Sequence, residues 1–258
     1  PPYLQTLALV PRGLILIVGA TGAGKSTTLA AMIDYRNKTR ADHILTVEDP
    51  IEYHLEGINQ VQVNPKIGLT FASGLRSFLR HDPDVILVGE IRDLETAEVA
   101  INASLTGHLV FSTLHTNDAA TANTRLLDMG VEPFLVSSAI GGILAQRLIR
   151  KICPDCREEY EPDSSKLRPD FNYQSGDKLY RGTGCRECRH SGYRGRFGIY
   201  ELLSMNDELR ELVVRRASIG EVMKAACRNG LKLMREDGWA KVRRGETTVE
   251  EVARVTKV

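Results

Sequence analysis

The sequence predicts an α/β protein built on a parallel β-sheet and followed by two smaller parts. Over residues 1–150, short apolar runs alternate with helix-like patterns, which is typical of successive βα units. A glycine-rich loop follows the first of these runs, and two pairs of cysteines stand where the pattern stops. The 258 residues suffice for one large domain or two smaller ones with a substantial core.

The composition is that of a balanced cytosolic protein. Hydrophobic residues make up 42% and charged residues 26% of the chain. The net charge of +1 gives no strong field to attract nucleic acid. No run approaches the ~18 apolar residues of a membrane span. The chain opens with Pro1-Pro2 and no Met, which is typical of a fragment of a longer protein.

Four strands and five helices are predicted in the first part. The run GLILIVGA, residues 13–20, is continuously apolar, as expected of a strand buried on both faces. Asp93 is a suitable N-cap for one helix, and Gly107 is a suitable end for it. The other strands are predicted at 43–50, 84–90 and 108–116, and the helices at 26–38, 71–83, 93–107, 119–130 and 134–151.

Near residue 151 the chain becomes rich in Cys, Gly, Arg and Tyr, and residues 161–178 are polar and irregular. Helical patterns return at 206–216, 218–230, 233–245 and 248–257. We therefore expect three parts: a core at 1–150, a cysteine-containing lobe at 151–203 and a C-terminal helical subdomain at 204–258.

The run GATGAGKST fits the phosphate-binding pattern G-x-x-x-x-G-K-[ST] at every position. Its glycines allow backbone N–H groups to curl around phosphate oxygens, and the following helix adds its positive N-terminus. Lys25 is expected to reach the β- and γ-phosphates, and the Ser26 hydroxyl to ligate Mg²⁺. The predicted nucleotide-binding residues are Gly19, Ala20, Thr21, Gly22, Ala23, Gly24, Lys25, Ser26 and Thr27.

Two acidic segments follow strands whose carboxyl ends should lie near that loop. Glu90 ends the run DPDVILVGE and is expected to hold the Mg²⁺ shell. Glu48, Asp49 and Glu52 follow another strand, in a turn fixed by Pro50, and offer a group that orients the attacking water. A solvated acidic turn is the alternative for this second segment.

Histidine and arginine residues near these strand ends are further candidates. His115 stands at the carboxyl end of its predicted strand, where it can sense the γ-phosphate, whereas His108 stands at the opposite end. A structural histidine is the equal alternative. Arg76, Arg80 and Arg92 flank the acidic strand, and arginine commonly neutralises a phosphoryl group in transfer.

The four cysteines Cys153, Cys156, Cys185 and Cys188 form two CxxC pairs with 28 residues between them. This spacing suits a tetrahedral Zn²⁺ site, and four sulfur ligands leave no position open for water, so a structural zinc is predicted. A redox CxxC and a nucleic-acid-binding knuckle are the weaker alternatives. Cys227 lies in an apolar helical pattern and is predicted to be core.

Taken together, these segments resemble the secretion ATPases of type II secretion and type IV pilus assembly. The family has a Walker A loop, an acidic "Asp box", a Walker B strand ending in Gly-Glu and a "His box". Residues 19–27, 44–52, 82–93 and 106–117 resemble these four motifs in order. The tetracysteine insert resembles the assembly and secretion branch rather than the retraction branch, and GRFGIYELL with the chain end EEVARVTK favours type II secretion.

This resemblance implies ATP hydrolysis with Mg²⁺ by a hexameric ring of RecA-like cores, each bearing a zinc-stabilised lobe. It implies that Glu52 is the catalytic carboxylate, Glu90 the Walker B glutamate and His115 the histidine near the phosphate. Arg76, Arg80 and Arg92 match arginines near the active site or the subunit interface. Expected partners are platform proteins of the bacterial inner membrane, at whose cytoplasmic face the protein is held peripherally, and no nucleic acid.

The expected function is therefore a motor that drives pseudopilus assembly in type II secretion, with type IV pilus extension as the alternative. A RecA-like nucleic-acid motor is disfavoured by the near-zero net charge and the 6% aromatic content. A scaffold that has lost catalysis is disfavoured by the intact Lys25, Ser26, Glu52 and Glu90. Domains that the family carries before the Walker A loop are almost entirely missing here.

Overall fold

The computed structural model describes residues 1–163, 167–174 and 177–256. Packing groups the chain into two compact units. The first contains Pro1–Ala145 and Leu202–Leu231, and the second contains Gln146–Glu201 and the chain from Lys232 onward. The division at 150 and 203 stays a prediction, and the predicted C-terminal helical part contributes residues to both units. Five residues of the polar segment 161–178 and the end of the last predicted helix lie outside the described residues.

The first unit is built on parallel strands, as predicted. Its strands are β1 (Gly13–Val18), β2 (Ile44–Glu48), β3 (Asn59–Gln62), β4 (Val85–Val88), β5 (Leu109–Leu114) and the beginning of β6 (Ile140–Ile152). The β1–β5, β1–β6, β2–β3, β2–β4 and β4–β5 pairs are all parallel. The carboxyl ends of these strands consequently meet at one edge of the sheet.

Helices flank these strands and follow the predicted capping signals. In chain order they are α1 (Pro2–Ala8), α2 (Lys25–Thr39), α3 (Phe71–Phe78), α4 (Leu94–Leu105), α5 (Ala119–Asp128), α6 (Pro133–Ala139), α7 (Asp207–Val214) and α8 (Ile219–Arg228). The Asp93 side chain accepts a hydrogen bond from the Thr96 N–H at 2.8 Å, which confirms it as the N-cap of α4. Within the described chain, no helix combines the length and apolar character of a membrane span.

The helix predicted at 134–151 is wrong from Ile140 onward. After the short α6, residues from Ile140 onward form the long strand β6, which pairs with β1. Ile140, Ile143 and Leu144 are fully buried there, so pairing and burial against β1 outweigh the helical spacing of the apolar residues. The polar strand β3 and the strands of the second unit were likewise not predicted.

The second unit contains the hairpin β7 (Arg157–Tyr160) and β8 (Leu179–Gly182), most of β9 (Tyr193–Ser204), α9 (Met234–Arg243) and α10 (Val249–Val255). The β7–β8 pair is antiparallel. Trp239 of α9 packs edge-on against Phe171, with 5.2 Å between the ring centroids, and both side chains are buried. These two rings form a large part of this unit's core.

A buried carboxylate ties α10 to β6 within the second unit. Glu251 is 2% exposed and accepts hydrogen bonds from the Arg150 backbone N–H at 3.2 Å and the Arg150 guanidinium at 2.5 Å. Arg254 adds two more, at 3.1 and 2.9 Å. Burial on its own raises the pKa of Glu251, but these donors outweigh it and lower the pKa to about 2.

Because the folded-state pKa of Glu251 is depressed, its stabilisation is present above about pH 4.5 and is lost as the pH falls towards 2. We predict that Glu251→Gln lowers the free energy of unfolding of this unit by about 2 kcal/mol at pH 7, because the charge-assisted hydrogen bonds from two half-exposed arginines are lost. Denaturant titrations followed by the fluorescence of Trp239, the chain's one tryptophan, measure this.

Glu250→Gln is the matched control, since the neighbouring Glu250 is exposed. The difference between Glu251→Gln and the unmodified protein should shrink as the pH falls from 5 to 2. A difference that is constant over this range would contradict the predicted role of the charge.

Candidate functional site

The phosphate loop lies between β1 and α2, at the carboxyl edge of the sheet. Gly22 and Gly24 have φ of 76° and 85°, a left-handed conformation that side chains other than Gly adopt at a cost. The Lys25 ammonium group donates to the carbonyl oxygens of Gly19 at 2.9 Å and Ala20 at 3.3 Å, which holds it over the loop. Ser26 and Thr27 follow on the exposed first turn of α2. This geometry is compatible with the phosphate cradle that the motif predicts.

Glu90 lies directly beyond β4 and is 9% exposed. Arg92 contacts its Oε1, and His115 Nε2 lies 3.4 Å from its Oε2. Among the described residues, no group makes a hydrogen bond to that buried Oε2. A buried carboxylate oxygen without a donor is costly, so this oxygen suits a cation or its bound water. The residues therefore fit a Mg²⁺ shell at this strand end.

Two hydroxyl groups on β5 hold the backbone that leads to Glu90. Ser112 Oγ donates to the Val88 carbonyl oxygen and Thr113 Oγ1 donates to the Gly89 carbonyl oxygen, both at 2.8 Å. His115 follows at the end of the same strand, with its side chain half exposed. His108, just before β5 at its opposite end, is bonded through Nδ1 to the carbonyl oxygen of Ala103, in the last turn of α4, at 2.9 Å.

The structure separates the acidic residues that follow β2. Glu48 Oε1 accepts hydrogen bonds from Thr46 Oγ1 at 2.6 Å and Gln60 Nε2 at 2.9 Å. Glu52 is exposed in the loop at 49–58, between β2 and β3. The next residue, Tyr53, shares a 2.9 Å hydrogen bond with Thr27 through its hydroxyl. This bond joins the loop that carries Glu52 to the phosphate-loop helix.

The three predicted arginines lie in different surroundings. The hydrogen bond to Glu90 raises the pKa of Arg92 above its ordinary value, although burial opposes this, and Asp49 adds to the increase. Arg76 on α3 pairs with Glu95 at 2.6 Å, and both side chains are exposed. Arg80 is exposed beyond the end of α3. The structure therefore brings Arg92 to Glu90, while Arg76 and Arg80 stand on the surface.

A cavity of about 320 Å³ opens beside Arg92 and His115, between the residues that follow β4 and β5 and one face of α5. Its other walls include Thr116, Thr121 and Arg125. Polar and cationic groups thus continue from Glu90 along the sheet edge.

The second unit brings the four predicted metal ligands together. The sulfur atoms of Cys153, Cys156, Cys185 and Cys188 all lie within 4.8 Å of one another. Three Sγ–Sγ distances are 3.9, 3.8 and 3.7 Å, for 153–185, 156–188 and 185–188. A tetrahedron with Zn–S bonds of ~2.3 Å has sulfur atoms ~3.8 Å apart, whereas a disulfide needs ~2.05 Å. The cluster fits a four-coordinate zinc ion.

Backbone N–H groups also stabilise a thiolate in the cluster, the form of cysteine that binds a metal. Cys185 and Gly192 donate from their backbones to Cys188 Sγ at 3.2 and 3.3 Å. The Cys185 N–H is the main reason that the pKa of Cys188 falls to about 6, and Gly192 adds to the effect despite burial. Burial raises the pKa of Cys153 to about 12. All four groups become thiolates together only with a cation among them.

The backbone at Gly182 passes very close to the backbone at Gly192, beside the Cys185–Cys188 pair. A Cβ atom at Gly182 would lie 2.0 Å from the carbonyl oxygen of Gly192, so the two glycines pass where side chains do not fit. Gly192 thereby reaches Cys188, and its carbonyl oxygen accepts a hydrogen bond from the Cys153 N–H at 3.0 Å. The two cysteine pairs are thus joined through the backbone as well as through sulfur.

Sequence reasoning missed the polar residues that support the site: Tyr53, Gln60, Ser112 and Thr113. Tyr53, Ser112 and Thr113 lie on a loop or strand that was recognised for another residue, whereas Gln60 lies on the strand β3, which was not predicted. The alternation of Gln60 and Gln62 on a short polar strand was the available signal, because residues two apart on a strand share a face.

Comparison with known proteins now gives a family. A model of the family described as "Type II/IV secretion system protein" matches residues 2–254. The Type II secretion system ATPase E of Vibrio cholerae is 56% identical over 249 residues, which are 96% of this chain and 49% of that protein. The Type IV pilus assembly ATPase PilB of Thermus thermophilus is 52% identical over 246 residues, 94% of this chain and 27% of that protein.

The chain thus spans about half the length of its type II relatives. The crystal structure of the pilus retraction motor PilT with bound ADP has a TM-score of 0.75 to this chain, with 33% identity, and the match covers 100% of this chain and 65% of that one. The predicted fold class is confirmed by this likeness. Together with the matched family model, it confirms the resemblance noted in the sequence: the chain belongs to the family of type II/IV secretion system proteins.

Proposed function

We propose that the protein hydrolyses ATP and powers protein secretion by assembling a pseudopilus, as a type II secretion ATPase. The observation that carries the proposal is the meeting of three groups at one sheet edge: the Lys25 loop, the buried Glu90 and the loop that carries Glu52. The identity of 56% with the type II ATPase of V. cholerae supports the type II assignment. Extension of a type IV pilus is the second candidate, supported by the identity of 52% with PilB.

In the proposed reaction, backbone N–H groups of residues 19–25 bind the phosphates and Lys25 neutralises the β- and γ-oxygens. Ser26 and Glu90 would hold Mg²⁺, which when bound would neutralise phosphate charge. Glu52 orients the attacking water and accepts its proton, while His115 stands beside Glu90 and senses the γ-phosphate. Arg92 holds one oxygen of Glu90, and the other oxygen would be the one that binds the metal or its water.

The quaternary arrangement is also a proposal. We infer a hexameric ring in which the exposed Arg76 and Arg80 act near a subunit interface. Its partners are platform proteins of the bacterial inner membrane, and its location is the cytoplasmic face of that membrane. Nucleic acid is not a partner, because the net charge of +1 offers little attraction to phosphate backbones.

Glu52→Gln tests the catalytic assignment. We predict that turnover of ATP falls by at least ~10²-fold, because the amide cannot accept a proton from water, while nucleotide binding is kept. Phosphate release and the affinity for a fluorescent ATP analogue measure the two effects. Glu56→Gln, an exposed acid in the same loop, is the control and should retain turnover. Full turnover by Glu52→Gln would refute the assignment.

The two candidate functions differ in what the motor assembles. The test uses a bacterium that carries both systems and from which the gene for this protein has been deleted. Returning the gene should restore secretion of exoproteins and leave surface pili unchanged. Restoration of pili without secretion would favour the second candidate, and stimulation of ATP turnover by nucleic acid would contradict both.

For the cysteine cluster we propose a structural Zn²⁺. The metal would close the 28-residue segment between the two pairs, which reduces the entropy of the unfolded chain and joins the knuckles. Four sulfur ligands leave no position for water, so the site holds structure rather than performs hydrolysis.

Cys185→Ser tests this site. We predict that bound zinc falls from one to near zero per chain, because three sulfurs bind zinc weakly. The midpoint of unfolding, followed by Trp239 fluorescence, should therefore move to a lower denaturant concentration. Metal analysis and fluorescence measure these changes. Cys227→Ser is the control, because Cys227 lies outside the cluster and is exposed, so its prediction as a core residue was wrong. Equal zinc content in the two variants would contradict the assignment.

A further inference from the structure

The loop at 49–58, which carries Glu52, is held by side chains from the edge strand β3. In the β2–β3 register, Thr46 lies opposite Gln60 and Glu48 lies opposite Gln62. These four residues consequently project from one face of the two strands. Val47, between the two β2 residues, faces the other way and lies against Gly74 of α3. The loop crosses the face on which the glutamines project.

Gln60 makes three hydrogen bonds that use its whole amide group. Its Nε2 donates to Glu48 Oε1 and to the Tyr53 carbonyl oxygen, both at 2.9 Å. Its Oε1 accepts from the Leu55 N–H at 2.8 Å. One side chain thus connects the end of β2 with the backbone on the carboxyl side of Glu52. The amide is required here, since a carboxylate cannot donate and would repel Glu48.

Two further bonds complete the attachment around Glu52. On its amino side, the Ile51 N–H donates to Gln62 Oε1 at 3.4 Å. On its carboxyl side, the Tyr53 hydroxyl bonds with Thr27 on the phosphate-loop helix. The residues immediately before and after Glu52 are therefore anchored, while the Glu52 side chain itself is exposed. This arrangement fixes the backbone and leaves the carboxylate available.

We propose that Gln60 is a positioning residue for Glu52. It holds the backbone at Glu52 at a fixed distance from the phosphate loop, so that the Glu52 carboxylate can orient the attacking water. Gln60 acts through Glu52 and touches neither nucleotide nor metal. The inference rests on the proposed role of Glu52 in hydrolysis. Displacement of a catalytic group by about 1 Å can cost ~10²-fold in rate, so loss of this anchor affects turnover more than binding.

The experiment compares Gln60→Ala and Gln60→Glu in the full-length protein. The first variant removes all three hydrogen bonds. The second keeps the side-chain volume and the acceptor for Leu55 but cannot donate and adds a charge beside Glu48. We expect kcat for ATP to fall by ~10- to 100-fold in both variants, with the KM and the affinity for a fluorescent ATP analogue within about twofold of the unmodified protein.

Asn59→Ala is the matched control. Asn59 is the preceding residue on β3, its side chain is exposed and points to the other face, and its loss should leave kcat unchanged. Unchanged kcat in both Gln60 variants would overturn the inference. So would a loss in Gln60→Ala that Gln60→Glu restores, because side-chain volume would then be the requirement. An equal loss of nucleotide affinity would also overturn it, because the substitution would then disturb the phosphate loop.

Failure of this inference is distinguishable from failure of the proposed function. If Glu52→Gln retains full turnover, the catalytic assignment is wrong and the positioning role falls with it. If Glu52→Gln is inactive while both Gln60 variants turn over at the unmodified rate, only the positioning role is wrong.

Discussion

The parallel pairing of β1, β2, β4 and β5 is the constraint on which the rest of the first unit depends. Each strand delivers a different chemical group at its carboxyl end: the phosphate loop, Glu52, Glu90 and His115. Residues far apart in sequence therefore meet at one edge of the sheet. Hydroxyl groups on β5 reinforce the pairing at that edge, since Ser112 and Thr113 donate to the carbonyl oxygens of Val88 and Gly89, just before Glu90.

The sequence was informative wherever a motif and a buried strand coincide. The strands β1, β2, β4 and β5 are short apolar runs, and each is followed by a recognisable site residue, so both fold and site were predictable there. β6 was mistaken for a helix because its apolar residues also fit helical spacing, and only pairing with β1 decides between the two. β3 was missed because Gln60 and Gln62 are polar, although the Gln60 amide is hydrogen-bonded within the protein.

In the second unit, weak side-chain contacts contribute less than the joining of the four cysteines. Its hairpin carries two stacked pairs, with the Arg157 guanidinium 3.9 Å from the centroid of the Tyr180 ring and that of Arg181 5.2 Å from Tyr160. Such pairs contribute about 0.5–1 kcal/mol each at exposed sites, which is small beside the entropy of ordering a polar segment. Cysteine spacing predicted the cluster because four ligands at knuckle intervals have few other uses, whereas the Gly182–Gly192 approach depends on geometry that spacing does not encode.

Among the acids after β2, the sequence alone left Glu48, Asp49 and Glu52 open as water-orienting groups, and only the resemblance singled out Glu52. The hydrogen bonds add a physical reason for that choice. A general base needs a free lone pair directed at its substrate, and Glu48 Oε1 already accepts from Thr46 and Gln60. Asp49 lies close enough to Arg92 to raise the pKa of its guanidinium, so it belongs to the electrostatics of Glu90. Glu52 is exposed on an anchored backbone, and that combination of a fixed position and an unoccupied carboxylate is what orienting a water molecule requires.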